Sequence, residues 1–377
     1  MSSSLSFFDH FAALEEPRVE RTRRHLLMNV VFIAVCALLS GANDFVGMEK
    51  FGKNKKAWLG KFIDLTQGIP SHDTFGRVIQ ALKPEQFIQC FLNWVETFAD
   101  SKAGRHIAID GKTCRASLDR ASGQKPQHIV NAWARESGLV LGQVAVDEKS
   151  NEITAIPKLL EMLELSGAIV TIDAMGCQKE IAATIREGGA DYVLAVKGNQ
   201  EHLEQDIIEH FQELDEAAEQ GKRKCRVDAQ ETEDADHGRD EYRRCEAVPV
   251  PQDFRGREDW KDLKSICRVT RCYAEKGQER SEVRHFISSL RADAKRLSDA
   301  VRGHWSVENN LHWVLDMVFA EDRSRARTDH AQENLGLLRR WALSVLKQDE
   351  AMSGSIEKKR LMAGWNTDNL EKLLCLF

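Results

Sequence analysis

The sequence predicts a mixed α/β fold: a five-stranded sheet with a β-rich insertion, preceded by a helical N-terminal domain. Three observations predict it. Two short apolar runs, 107–110 and 169–173, each end on an aspartate. Strand-like and helix-like patterns alternate around them, as they do when helices cover a sheet. The first hundred residues, by contrast, carry helical spacing alone. With 377 residues, 42% of them hydrophobic and 30% charged, the chain has the composition of an ordinary globular protein with room for two domains.

In residues 1–100 the apolar spacing through 26–39, and then Phe87, Phe91, Trp94 and Phe98, fits helices packed on one another. Ser71 or Asp73 caps the helix that follows. The run 26–39 follows Arg21, Arg23 and Arg24 and has the look of a signal peptide. It lies behind Glu15, Glu16 and Glu20, contains Asn29, and falls short of the roughly 20 residues of a membrane span. A buried helix is expected, in a cytoplasmic, nucleoid-associated protein with no membrane partner. This domain binds DNA ends, dimerises, or serves as a plain scaffold.

From 101 to 347 the pattern changes. Segment 107–110 reads as a strand, and 128–135 with 139–146 reads as a hairpin turning at Glu136-Ser137-Gly138. Helical spacing at 156–165 precedes the apolar strand 169–173, which suits a sheet buried on both faces. A helix at 178–187 ends on Gly188-Gly189, and a fifth strand at 192–196 runs into Lys197. Strand, strand, strand, helix, strand, helix, strand is the order of the ribonuclease-H-like fold. Its first strand is central and its fourth lies beside it, so Asp110 and Asp173 converge. Residues 203–220 read as an acidic amphipathic helix, and about 222–290 as the β-rich insertion, with strands at 245–250, 265–272 and 282–288. Helices at 298–317 and about 333–347 follow, and 348–377 is a helical tail.

Nine cysteines without a Cys-x-x-Cys pair, and without partners at zinc spacing, are expected to be free thiols. A net charge of −6 argues against a polyanion partner in bulk, but the distribution matters more. Basic clusters stand at 21–24, at Lys222, Arg223, Lys224 and Arg226, at Arg239, Arg243 and Arg244, and at Arg323, Arg325 and Arg327.

Carboxylates at two strand ends and a third on a later helix can hold two hard cations about 4 Å apart against a phosphodiester. Asp110 would bridge both Mg2+ ions, with Mn2+ a substitute, and Asp173 and Glu308 would each complete one. Glu308 has Asp316, Glu321 and Asp322 as near alternatives. On one continuous helix His304, Glu308, Leu311, His312 and Leu315 would share a face. His304 or His312 is then either a metal ligand or a hydrogen-bond donor to DNA or to Glu308. Lys112, Lys197, Asn199 and Gln200 line the same sheet edge, where phosphate contact and surface polarity are both open. His237, Gly238, Arg239 and Arg243 in the insertion could grip a phosphate. Trp305 and Trp313 either stack an unpaired base or sit in the core.

The chain resembles bacterial insertion-sequence transposases of the Asp-Asp-Glu (DDE) class, in the branch containing the H-repeat-associated proteins. The resemblance runs through Pro70-Ser71-His72-Asp73-Thr74-Phe75, Ile109-Asp110-Gly111-Lys112 and Lys149-Ser150-Asn151-Glu152-Ile153. It continues in Thr171-Ile172-Asp173-Ala174-Met175, Lys197-Gly198-Asn199-Gln200, His237-Gly238-Arg239 and His304-Trp305-Ser306-Val307-Glu308-Asn309. It implies a magnesium-dependent DNA transposase with Asp110, Asp173 and Glu308 as catalytic acids. Such an enzyme hydrolyses element ends and transfers the 3′-hydroxyl into target DNA, acting as a homodimer or higher multimer that pairs two ends. A structure-specific nuclease on the same fold and an inactive DNA-binding remnant are the alternatives. The class often carries Tyr and Arg before the Glu and Lys after it, where this chain has Val301, His304 and Leu315. The roles of that basic pair therefore do not transfer; Arg302 or Arg323 are the candidate replacements, and His304 a hypothetical one.

Overall fold

The computed structural model describes residues 7–98, 105–118, 126–146, 150–222, 225–236, 239–275 and 278–377. The chain divides into two compact units. The first comprises Met1–Asp100, Gly111–Lys149 and Glu308–Phe377, and the second Ser101–Asp110 and Ser150–Val307.

The first unit is built on the apolar run near the N-terminus. Leu27–Leu39 is a helix in which twelve of thirteen residues are buried, and Asn29 among them reaches the Asp64 carbonyl at 2.6 Å. No described helix is long and apolar enough to cross a membrane. Helix His72–Ala81 starts where the cap was expected, with the Ser71 side chain accepting from the Thr74 N–H. Helix Ala331–Gln348 is buried along most of its length and packs on Leu27–Leu39 and on the hairpin of this unit. Trp341 on that helix is the hub of an aromatic cluster, 4.4 Å from the Phe11 ring, 5.3 Å from Phe91 and 5.7 Å from Trp94.

Nine strands are present among the described residues. They are β1 (His106–Cys114), β2 (Gln127–Ala134), β3 (Leu139–Val146), β4 (Ile169–Ile172) and β5 (Asp191–Val196), then β6 (Asp228–Asp236), β7 (Arg239–Pro249), β8 (Ser265–Glu275) and β9 (Gln278–Ser288). Strand order is β3-β2-β1-β4-β5-β9-β8-β7-β6. Its first five members follow the expected arrangement, with β1 flanked by β2 and β4. The expectation of five strands is corrected to nine. An open edge at β5 would leave a row of unpaired backbone groups. Instead Val193–Val196 pair antiparallel with β9, Val193 opposite Ser288, and the hairpin meander β9-β8-β7-β6 continues the sheet. Strand β6, Asp-Ala-Gln-Glu-Thr-Glu-Asp-Ala-Asp, has no apolar alternation and gave no strand signal.

In the second unit β4 is buried at all four positions and pairs in parallel with both β1 and β5. One face of the sheet packs on helix Ala294–His304, where Leu297, Ala300 and Val301 meet Ile169, Val193 and Phe286. Residues 298–317 are helical as expected, apart from Trp305, but they do not form one regular α-helix. Helix Ala294–His304 ends, a turn follows at Trp305, and Glu308–His312 is a π-helical turn that leads into helix Trp313–Met317. Such bulges frequently mark functional positions.

Trp341→Ala should cost about 3–5 kcal/mol, because the indole is fully buried at the centre of its cluster. Chemical denaturation of the full chain measures this, and a loss under about 1 kcal/mol would contradict the packing described.

Candidate active site

Pairing between β1 and β4 sets the geometry of the two aspartates. Ile109 lies opposite Ile172, so Asp110 and Asp173 are the next residues on neighbouring parallel strands at the same level. Adjacent strands are about 4.8 Å apart. Asp173 also caps the short turn Ala174–Gly176, its Oδ1 accepting from the Met175 N–H at 3.1 Å and the Gly176 N–H at 3.4 Å. Gly176 is required there, since a Cβ would come within 2.3 Å of Ile172 Cγ2. Burial pushes the Asp173 carboxyl above the usual range, and the nearby Glu152 carboxylate adds to it. The two N–H donors and Lys197 only partly offset this.

Asn199 and Gln200 brace the same turn. The Asn199 amide donates to the Ala174 carbonyl at 2.6 Å, and the Gln200 amide to the Cys177 carbonyl at 2.9 Å. Both amides hold the backbone that carries Asp173, and Lys197 beside them is exposed. The Nδ1 of His304 lies 3.1 Å from the Thr171 hydroxyl, which is 2.8 Å from His106 Nε2. Thr171 stands two residues before Asp173, so this relay packs beneath the same strand end.

Trp305 is 46% exposed, with the Arg284 guanidinium 4.7 Å over its ring. It is therefore not a core indole, and neither is Trp313, 55% exposed. Arg302 pairs with Asp234 at 2.9 Å, and Arg243 with Glu241 and Asp234. Arg243 thus links β7 to β6, and Arg302 links helix Ala294–His304 to β6. His237, Gly238, Arg223 and Lys224 lie outside the described residues, as does the side chain of Arg239.

In the first unit Glu308 opens the π-turn, exposed, with its Oε2 3.2 Å from Nδ1 of the buried His312. That hydrogen bond holds the Glu308 carboxyl below its ordinary range despite partial burial, and Lys112 contributes. The three alternatives are neutralised. The Lys112 ammonium is 2.6 Å from Asp316, 3.4 Å from Asp322 and 4.0 Å from Glu321, and Arg340 takes Glu321 at 2.6 Å. Among these four acids, Glu308 alone pairs with a histidine rather than a Lys or Arg. Lys112, a candidate phosphate contact, has a side chain 5% exposed and inside this carboxylate cluster. Burial would lower the Lys112 pKa, but Glu321 and Asp316 outweigh it and raise it. Arg323, beyond the cluster, is exposed.

The family model of the transposase DDE domain matches residues 101–345, and that of the DDE_Tnp_1-associated region matches 8–95. The chain belongs to the DDE transposase family. It is 38% identical over 374 residues to "Putative transposase YncI" of Escherichia coli O157:H7, covering 98% of this chain and 94% of that one. It is 36% identical to "H repeat-associated putative transposase YhhI" of Escherichia coli strain K12, covering 97% of both chains. A mixed α/β fold with a helical N-terminal region is consistent with a ribonuclease-H-like DDE domain.

Sequence reading missed Glu152, Thr171 and the bracing roles of Asn199 and Gln200. Glu152 had a signal, since it lies within Lys149-Ser150-Asn151-Glu152-Ile153; the hydrogen bonds of Thr171 had none.

Lys112→Met leaves buried carboxylates without their cation and should destabilise the protein by about 3–5 kcal/mol, read by denaturation. Glu321 yields a pH test. Burial pushes its carboxyl up, but Arg340, Arg339 and Lys112 outweigh this and hold it below its ordinary 4.5. A depressed folded-state pKa contributes stability above the unfolded value that is lost as pH falls through the folded one. The stability gap between wild type and Glu321→Gln should therefore be full at neutral pH and shrink below about pH 4.5; a gap independent of pH contradicts the assignment.

Proposed function

We propose that this transposase hydrolyses DNA at element ends and transfers the freed 3′-hydroxyl into target DNA, with Asp110, Asp173 and Glu308 as its catalytic acids. The observation that carries the reading is the β1–β4 register, which brings two carboxylates to one sheet edge. Glu308 is chosen over its neighbours because Lys112 and Arg340 do not take it up in an ion pair. These three carboxylates offer the hard oxygen donors that Mg2+ or Mn2+ prefers. Asp173 Oδ1 is committed to two N–H groups, and Oδ2 has no hydrogen-bond donor among the described residues. Two bound Mg2+ ions would supply activation of the attacking oxygen and stabilisation of the leaving one.

The remaining residues act by positioning. Asn199 and Gln200 fix the turn after β4, so Asp173 presents one carboxylate oxygen in a set direction. His312 orients Glu308 through Nδ1. Lys112 ties the far half of β1 to the helix that follows Glu308. Residues 1–100 are read as the associated domain, 101–347 as the catalytic domain with an insertion over about 222–290, and 348–377 as a helical tail. The partners are the element's terminal repeats and target DNA, engaged by a homodimer or higher multimer at the nucleoid. Lys197, Asn199, Arg323 and Trp305, all exposed, are among the DNA-contact candidates.

Purified protein with labelled DNA carrying the gene's own flanking ends should, with Mg2+, give nicked and joined products that Asp110→Ala abolishes. Cleavage without joining points to a nuclease, and binding without metal-dependent cutting to a remnant. Asn199→Ala should lower the cleavage rate by roughly 10- to 100-fold through misplacement of Asp173, with DNA affinity unchanged. An equal fall in affinity would make Asn199 a DNA contact instead.

A further inference from the structure

Resting on the reading that this protein acts on DNA, we infer that an open cleft in its first unit seats the phosphate backbone of duplex DNA. The cleft is shallow and wide open to solvent, with a volume of about 670 Å³, and Lys53, Asn54, Lys56, Gly60, Lys61 and Leu65 are among its lining residues. It is built where helix Phe45–Asn54 runs into the short helix Lys56–Leu59. Five lysines, Lys50, Lys53, Lys55, Lys56 and Lys61, fall within twelve residues of a chain whose net charge is −6.

Lysines at a helix C-terminus favour the helix dipole, and that accounts for one or two of them. Lys53 and Lys61 each meet an acid as well, which leaves the charge of the other three. Glu49, the acid beside the cleft, is already engaged: its Oε2 accepts the His72 N–H at 2.8 Å and lies 2.7 Å from His72 Nδ1, while Oε1 takes Lys53 at 2.5 Å. These bonds hold the Glu49 carboxyl down to about 2. Glu371 accepts the Trp58 indole N–H at 2.7 Å and reaches Lys61 only at 3.8 Å. Among the described residues Lys50, Lys55 and Lys56 make no ion pair. His72 belongs to Pro70-Ser71-His72-Asp73-Thr74-Phe75, a motif the catalytic reading leaves without a task; here it shares Glu49 with Lys53. Asn54 adds an amide suited to a phosphate oxygen. Exposed, flexible ammonium groups suit sequence-independent grip on a backbone.

The test measures affinity of the full chain for a labelled duplex of the gene's own flanking ends, without divalent metal, as salt is varied. Each neutralised phosphate contributes about −0.9 to the log–log slope. Lys53→Ala/Lys56→Ala/Lys61→Ala should make the slope shallower by about 2–3 and weaken binding roughly 10- to 100-fold near 0.1 M salt. The matching triple Lys→Arg variant should restore both. If the alanine triple melts early, Lys56→Ala alone should shift the slope by about 1. An unchanged slope in a folded variant overturns the proposal, and a multimer turned monomer with its slope kept makes the cleft a contact between copies instead. A shallower slope in a protein that never cuts DNA leaves this inference standing and removes the transposition chemistry; the reverse result does the opposite.

Discussion

Parallel pairing of β1 with β4 is the constraint on which the candidate site depends. A parallel ladder has an unambiguous direction, and its evenly spaced bonds fix which residues stand level. With Ile109 against Ile172, the residue after each is an aspartate, Asp173 just past the end of β4 and Asp110 level with it on β1, which continues to Cys114. In open α/β sheets the carboxyl edge is where ligands bind. A slip of one residue would turn one of the carboxylates to the opposite face, and burial of β4 on both sides opposes any such slip.

The second organising interaction is the buried charge cluster of the first unit. Lys112, Asp316, Glu321, Asp322 and Arg340 are brought out of water together, and isolated members would be costly there. Their mutual satisfaction lets β1, the segment after Glu308 and helix Ala331–Gln348 be joined by direct ionic contacts. Asn131 on β2 completes the arrangement by accepting from Arg340 at 2.5 Å. The same cluster explains why three acids near Glu308 serve structure while Glu308, linked to His312, stays exposed.

Much of this was legible in the sequence, for reasons particular to each element. The apolar runs before Asp110 and Asp173 are short and buried, which announced both strands, although β1 continues past Asp110 to Cys114. The buried helix near the N-terminus declared itself by unbroken apolar character. Strand β6 did not, because an acidic strand is held by its neighbour's arginines, such as the Arg244–Glu231 pair, and not by its own hydrophobicity. The break between His304 and Glu308 was equally hidden: backbone hydrogen bonding decides a π-turn, and no proline or glycine follows His304 to announce one. Lys112 looked like a surface cation two residues past an aspartate. Only the acids from 316 to 322, some two hundred residues away, reveal it as buried.

The central claim, that Asp110, Asp173 and Glu308 hold one set of divalent ions, is tested most directly by Fe2+ substituted for Mg2+ in the full chain, with ascorbate and peroxide added to cut the backbone beside the bound ion. The account predicts breaks clustered around residues 110, 173 and 308, all suppressed by excess Mg2+ and reduced by Asp173→Asn. Cuts confined elsewhere, or Mg2+-protected cuts that spare the chain around Glu308, would contradict it.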